Sequence, residues 1–247
     1  PEQRIFTASY SLMERGLQSI AWLAAALGLI RLSRSYSSPV VAYGWRVLLW
    51  LGIGNATIFG VLLSLPVVSV ALDGPLFVGT WPLLNILALV YGVPALLCAA
   101  LFAMFRQGEE TKAWARLVGA VSLLLAFVWV SYEVQRAFQG GYLWRGPTSD
   151  AEWYTYSAVW LLCSLGLLAL AIWRGSSSLR HASLIFVIVS VLKVFLFDMS
   201  ALTGLYRALS FIGLGLCLIA IGYFYQVFVY GKSRTKNPGP AEEEAPG

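Results

Sequence analysis

The stretch "SVLKVFLFDMSALTGLYRALSF", Ser190–Phe211, decides the fold. It is as apolar as a protein core, yet Lys193, Asp198 and Arg207 lie inside it. A charge removed from water is costly unless it is paired or reaches an interface. What supports these three depends on the solvent around the stretch, and the rest of the chain identifies that solvent.

Of 247 residues, 59% are hydrophobic and only 12% are charged, and the mean hydropathy is +0.74. A soluble domain carries about 25% charged residues. Apolar runs of about 18–25 residues recur along nearly the whole chain, the length that crosses a hydrocarbon core of about 30 Å. The reading is an all-α, polytopic transmembrane helical bundle. The net charge of +5 resides largely in short loops, so it reads as membrane topology and not as nucleic-acid binding. The expected partners are membrane lipids and other membrane proteins.

Seven spans are predicted: Leu12–Ile30, Val40–Leu65, Pro82–Phe105, Ala113–Tyr132, Trp153–Trp173, His181–Phe197 and Tyr206–Tyr230. They make up a transmembrane domain over 1–231, followed by a polar, Pro/Gly-rich tail over 232–247 that reads as disordered and cytoplasmic. "PVVSVALDGPLFVGTW" (66–81) is apolar but broken by Pro66 and Gly74-Pro75, and reads as interfacial or re-entrant. Basic residues follow the first, third, fifth and seventh spans: Arg31 and Arg34, then Arg106, Lys112 and Arg116, then Arg174 and Arg180, then Lys232, Arg234 and Lys236. The positive-inside rule then places the N-terminus outside and the C-terminus in the cytoplasm. Trp81, Trp114, Trp144, Trp153, Trp173 and Tyr230 fit aromatic belts at the span ends.

A weak repeat runs through the chain. "SIAWLAAALGL" (Ser19–Leu29) aligns with "SAVWLLCSLGL" (Ser157–Leu167), and a Ser-rich basic turn follows each. A duplicated helical hairpin is one explanation. Chance likeness of Leu/Ala/Gly-rich helices is the other.

Inside a bilayer the polar residues are the informative ones. The fourth span carries Ala115, Gly119, Ser122, Ala126, Glu133 and Arg136 on one face, and the sixth carries Ser183, Ser190 and Lys193. The third has Asn85, Ala88, Gly92, Ala95 and Ala99, and the first has Glu14, Gln18, Ala21, Ala25 and Gly28. Gly52, Ala56 and Gly60 form a small-residue ladder suited to close helix contact. Under the seven-span topology Glu14, Asn85, Glu133, Arg136, Lys193, Asp198 and Arg207 share the outer quarter of the membrane, as one polar cavity lining. Lys193 and Asp198 stand about 140° apart on an α-helix, so they are not expected to pair. Lys193 with Glu133, and Asp198 with Arg207, are the expected pairs. For Arg15, Arg136 and Arg207, snorkelling at a span end is the simpler role. Asn55, near mid-membrane, is expected to bond across helices, and Pro94 to kink the third span. His181, the one histidine, reads as a surface residue.

Cys98, Cys163 and Cys217 fall in apolar spans with no metal-ligand spacing, and read as free, buried thiols. No metal and no cofactor are implied. No G-x-S-x-G, Walker or H-E-x-x-H pattern occurs, so no catalytic residue is assigned and the balance leans away from an enzyme. The loop "YEVQRAFQGGYLWRGPTSDAEWYTY" (132–156) mixes aromatics, glycine and both charges, a composition that suits a sugar or lipid headgroup and equally an interface belt.

Leu179-Arg180, Lys193-Val194-Phe195 with Asp198, Arg207 with Ser210-Phe211, and Gly213, Gly215 and Gly222 in the last helix make a recognisable series. In these features the chain resembles a bacterial family of predicted membrane proteins known as domain of unknown function 2339. The resemblance implies a bacterial inner-membrane protein with no assigned reaction. It also implies a longer parent chain, of which Pro1–Gly247 would be the C-terminal portion. Gly213, Gly215 and Gly222 are expected to pack the last helix. The functional expectation is binding or transport of an envelope lipid or glycan intermediate. A non-catalytic scaffold subunit is the alternative.

Overall fold

The computed structural model describes residues 2–33, 35–36, 38–62, 75–106, 108, 111–198 and 205–226. They form seven helical segments. These are α1 (Glu2–Ser33), α2 (Pro39–Gly54), α3 (Val93–Phe105), α4 (Lys112–Gln139), α5 (Asp150–Trp173), α6 (Ser177–Lys193) and α7 (Leu205–Tyr225). Three stretches widen into π-helix: Asn55–Leu62 continues α2, Ala88–Gly92 precedes α3, and Val194–Asp198 continues α6. Two short strands, β1 (Leu76–Phe77) and β2 (Tyr142–Leu143), pair antiparallel with Leu76 opposite Leu143. Among the described residues the fold is all-α apart from this clasp.

The apolar lengths account for the architecture. Among the described residues five stretches are long and apolar enough to cross a membrane: Leu12–Ser33, Ala88–Phe105, Lys112–Gln139, Asp150–Trp173 and Leu179–Asp198. Phe211–Phe224 is a shorter apolar helix. Helix ends depart from the sequence reading at several places. α1 begins near Glu2, ten residues before the expected start. The third span begins in helix only at Ile86, because residues 81–85 bend. α4 runs on to Gln139, where Gly140 adopts φ 66° and caps it in the left-handed conformation that glycine tolerates. The supposed loop over 132–156 is therefore largely helical, with irregular chain confined to 140–149 around β2. The segment expected to re-enter lies outside the described residues up to 74, as does the tail over 232–247.

The chain divides into two compact units between Thr148 and Ser149. In the first, α1 packs along α2, and α3 along α4. Leu23, Leu49, Leu87, Leu101, Val118 and Leu125 are fully buried there. A Cβ on Gly52 would lie 2.8 Å from Leu23 Cγ, so glycine is what allows α1 and α2 this close. Ala56 is buried beside it, and a Cβ on Gly60 would lie 3.6 Å from Tyr91 Cε1. Pro94 lies two residues past the end of the π turn Ala88–Gly92. Having no N–H to continue the ladder, proline suits such a break.

In the second unit α5 and α6 form a hairpin, and α7 packs against the π turn Val194–Asp198. A Cβ on Gly213 would lie 3.3 Å from Phe195, whereas Gly215 and Gly222 have no neighbour within 4 Å. The thiols also divide. Cys98 is buried in the first unit, but Cys163 and Cys217 are exposed on their helices. The expectation of three buried thiols fails for those two because α5 and α7 turn those faces outward.

Candidate functional site

Among the described residues each unit carries a charged cluster. In the first unit, Asn85 sits just ahead of its helix and caps it, its Oδ1 accepting from the N–H of Leu87 at 2.8 Å and of Ala88 at 3.2 Å. Its amide donates to Glu133 Oε1 at 2.5 Å. The other Glu133 oxygen takes Arg136 Nε at 2.8 Å, one helical turn on. Arg136 also donates from Nη1 to the carbonyl of Thr80 at 2.9 Å and is buried. Its guanidinium thus ties α4 to the chain leading into α3. Glu14 is not drawn in: with Gln18, Ala21, Ala25 and Gly28 it lies on the exposed face of α1.

The second cluster corrects the pairing read from the sequence. Lys193 Nζ lies 2.6 Å from Asp198 Oδ1, with side-chain exposures of 8% and 6%. Five α-helical residues would separate them by about 140°. The π turn Val194–Asp198 closes backbone bonds from i to i+5, which brings residues five apart onto nearly one face. Ser157 on α5 completes the node: Lys193 donates to its Oγ at 2.5 Å, and the Ser157 hydroxyl donates to Asp198 Oδ2. The third ammonium proton goes to the carbonyl of Trp153 at 2.8 Å, and Nζ stands 5.1 Å from that residue's ring. All three donors of the lysine are used. Lys193 and Asp198, which α-helical spacing sets apart, pair with each other, and Glu133 takes Asn85 and Arg136; the expected Asp198–Arg207 pair lies outside the described residues. Arg207 lies on α7, and its side chain is outside the described residues.

The α1–α2 hairpin contains the same node without charge. Asn55 donates to Ser19 Oγ at 2.8 Å and to the carbonyl of Arg15 at 3.0 Å, across sequence separations of 36 and 40 residues. Lys193 reaches Ser157 and Trp153 across the same 36 and 40 residues. Ser19 and Ser157 head the two repeat copies, and Ser38 and Ser176 occupy the matching N-cap positions of α2 and α6. Each second helix then widens into π-helix directly at or after its donor. Gly60 occupies the position of Asp198. Chance likeness of two apolar helices does not reproduce both separations, the caps and the π expansions, so the duplication reading is the one the geometry favours. The signal in the sequence was present: a serine at the same place in each copy, with one polar residue deep in the helix that follows.

Further polar contacts tie individual elements. Ser122 donates to the carbonyl of Ala95 at 2.8 Å, joining α4 to α3. The Tyr91 hydroxyl donates to the carbonyl of Gly60. Arg46 is exposed, 5.5 Å from the Tyr43 ring. His181 is exposed, with Nδ1 2.7 Å from the carbonyl of Ser177. Among the described residues no group of three His, Cys, Asp or Glu side chains is placed to hold a metal.

Residues 3–228 match the family described as "Predicted membrane protein (DUF2339)". The chain belongs to that family. It is a multi-pass inner-membrane protein, as the family and its apolar helices require. No curated protein and no solved structure matches it.

Proposed function

We propose that the chain is a membrane-embedded domain that binds or moves an envelope lipid or glycan intermediate, with the Lys193–Asp198 node as its working centre. Seven crossings with the N-terminus outside and the C-terminus cytoplasmic is the topology that the basic loops support. In that topology the node lies near the outer face, where a headgroup arrives. One observation carries the reading: of two equivalent nodes, only one is charged. Asn55 shows that a neutral amide suffices to tie such a hairpin together. A lysine and an aspartate are a costly substitute inside a membrane unless the charge is used.

The test is complementation of a deletion strain scored for envelope integrity, with K193N/D198A as the variant that imitates the neutral node. The expected result is loss of complementation at wild-type protein levels, with a melting point no more than about 6 °C below wild type. Full complementation by the double variant would overturn the reading.

The scaffold alternative has one observation in its favour: Gly215 and Gly222 on α7 face open space. Gly52 and Ala56 are used inside the first unit and are not free for a partner. A partner subunit that co-purifies stoichiometrically and is lost on G215L or G222L would favour that role.

A further inference from the structure

The node has a property that neither lipid handling nor scaffolding requires. Its acceptors are arranged around a point, and that point exists in both hairpins. Ser19 Oγ and the carbonyl of Arg15 converge on the Asn55 amide as Ser157 Oγ and the carbonyl of Trp153 converge on the Lys193 ammonium. The cradle therefore belongs to the hairpin and not to the lysine. Only the second hairpin adds a carboxylate, Asp198, at 2.6 Å from the same point.

We propose that Trp153 O, Ser157 Oγ and the Asp198 carboxylate form a binding site for a monovalent inorganic cation, which the Lys193 ammonium fills as a tethered competitor. The charge count selects the valence. One carboxylate and two neutral oxygens are neutralised by a single positive charge, while a divalent ion would leave an uncompensated charge in a dry site. The spacing selects against Mg²⁺: oxygens stand 2.5, 2.6 and 2.8 Å from Nζ, well outside the 2.0–2.1 Å or so that it demands. A long lysine side chain can leave such a site by snorkelling toward the headgroups. Cation entry and lysine departure are then one exchange, with the cradle neutral before and after. This inference does not depend on which molecule the domain handles.

The experiment uses the full chain in detergent micelles, with K193A to vacate the site. Thermal unfolding is followed while Na⁺, K⁺ or Li⁺ is titrated against choline at constant ionic strength. K193A should gain stability with one or more of the small cations, by roughly 5–10 °C at a hundred-fold excess over Kd. Wild type and K193A/D198N should not respond. An equal response to choline, a response that persists in K193A/D198N, or no response in a folded K193A would overturn the proposal. If K193A folds only in the presence of a small cation, the proposal is supported. If K193A fails to fold in every salt while K193N folds, the site does not accept a cation and the proposal falls.

Discussion

Asp198→Ala offers the sharpest test of the second-unit node. The substitution leaves Lys193, only 8% exposed, with the Ser157 hydroxyl and the Trp153 carbonyl but no counter-charge. Removing one partner of a buried ion pair costs about 3–5 kcal/mol, because the remaining charge is stranded. In a domain of this size each kcal/mol shifts Tm by about 2–4 °C, so the fall should be roughly 6–20 °C. Neutralising both ends behaves differently. K193N/D198A places an amide where Asn55 places one, with the same two acceptors in reach, and should lose no more than about 1.5 kcal/mol. The assay is intrinsic tryptophan fluorescence during thermal unfolding in micelles, on wild type, both single variants and the double. The reasoning fails if the double variant is as unstable as D198A, or if D198A melts within about 2 °C of wild type.

The other predictions follow from neighbouring contacts. G52L should lower stability by about 1–3 kcal/mol, since even a Cβ at that position would meet Leu23 at 2.8 Å; G215L, facing open space, should leave the melting temperature unchanged. N55L should cost about 1–2 kcal/mol through two lost interhelical bonds, and a cycle with S19A should return a coupling of the same sign. E133Q should destabilise by about 1–3 kcal/mol by removing the charge that holds the buried Arg136, read out by the same melt. A C-terminal fluorescent-protein fusion should glow and a C-terminal alkaline-phosphatase fusion should be inactive; the reverse pattern would refute the seven-span topology.

The all-α membrane character is legible because bilayer thickness dictates helix length, and apolar length is written openly in composition. The duplication was visible for the same reason, since Ser19 and Ser157 stand at one place in two similar helices. The Lys193–Asp198 pair was hidden because helical-wheel reasoning assumes 3.6 residues per turn. A π turn adds a residue without any marker in the letters, and it moves Asp198 onto the lysine's face. Depth alone does not identify a neighbour, and Glu133 finds its partners within its own unit. Arg136, one turn along the same helix, and Asn85, capping the next, were closer candidates. Exposure of Cys163 and Cys217 was hidden because a helix apolar on all sides does not reveal which face is inward.

The placement of every group of the second node within one hairpin has a consequence for biogenesis. A lone lysine entering the bilayer on a nascent helix meets a penalty of about 2.5–3.5 kcal/mol near mid-membrane. Here α5 is synthesised first and brings the Ser157 hydroxyl and the Trp153 carbonyl, and Lys193 and Asp198 then emerge five residues apart on the helix that follows. The hairpin can leave the translocon as an electroneutral package, without waiting for any later segment. The Asp198→Ala chain would emerge with an unbalanced charge, so its defect should register as poor membrane integration during synthesis as well as a lower melting point afterwards.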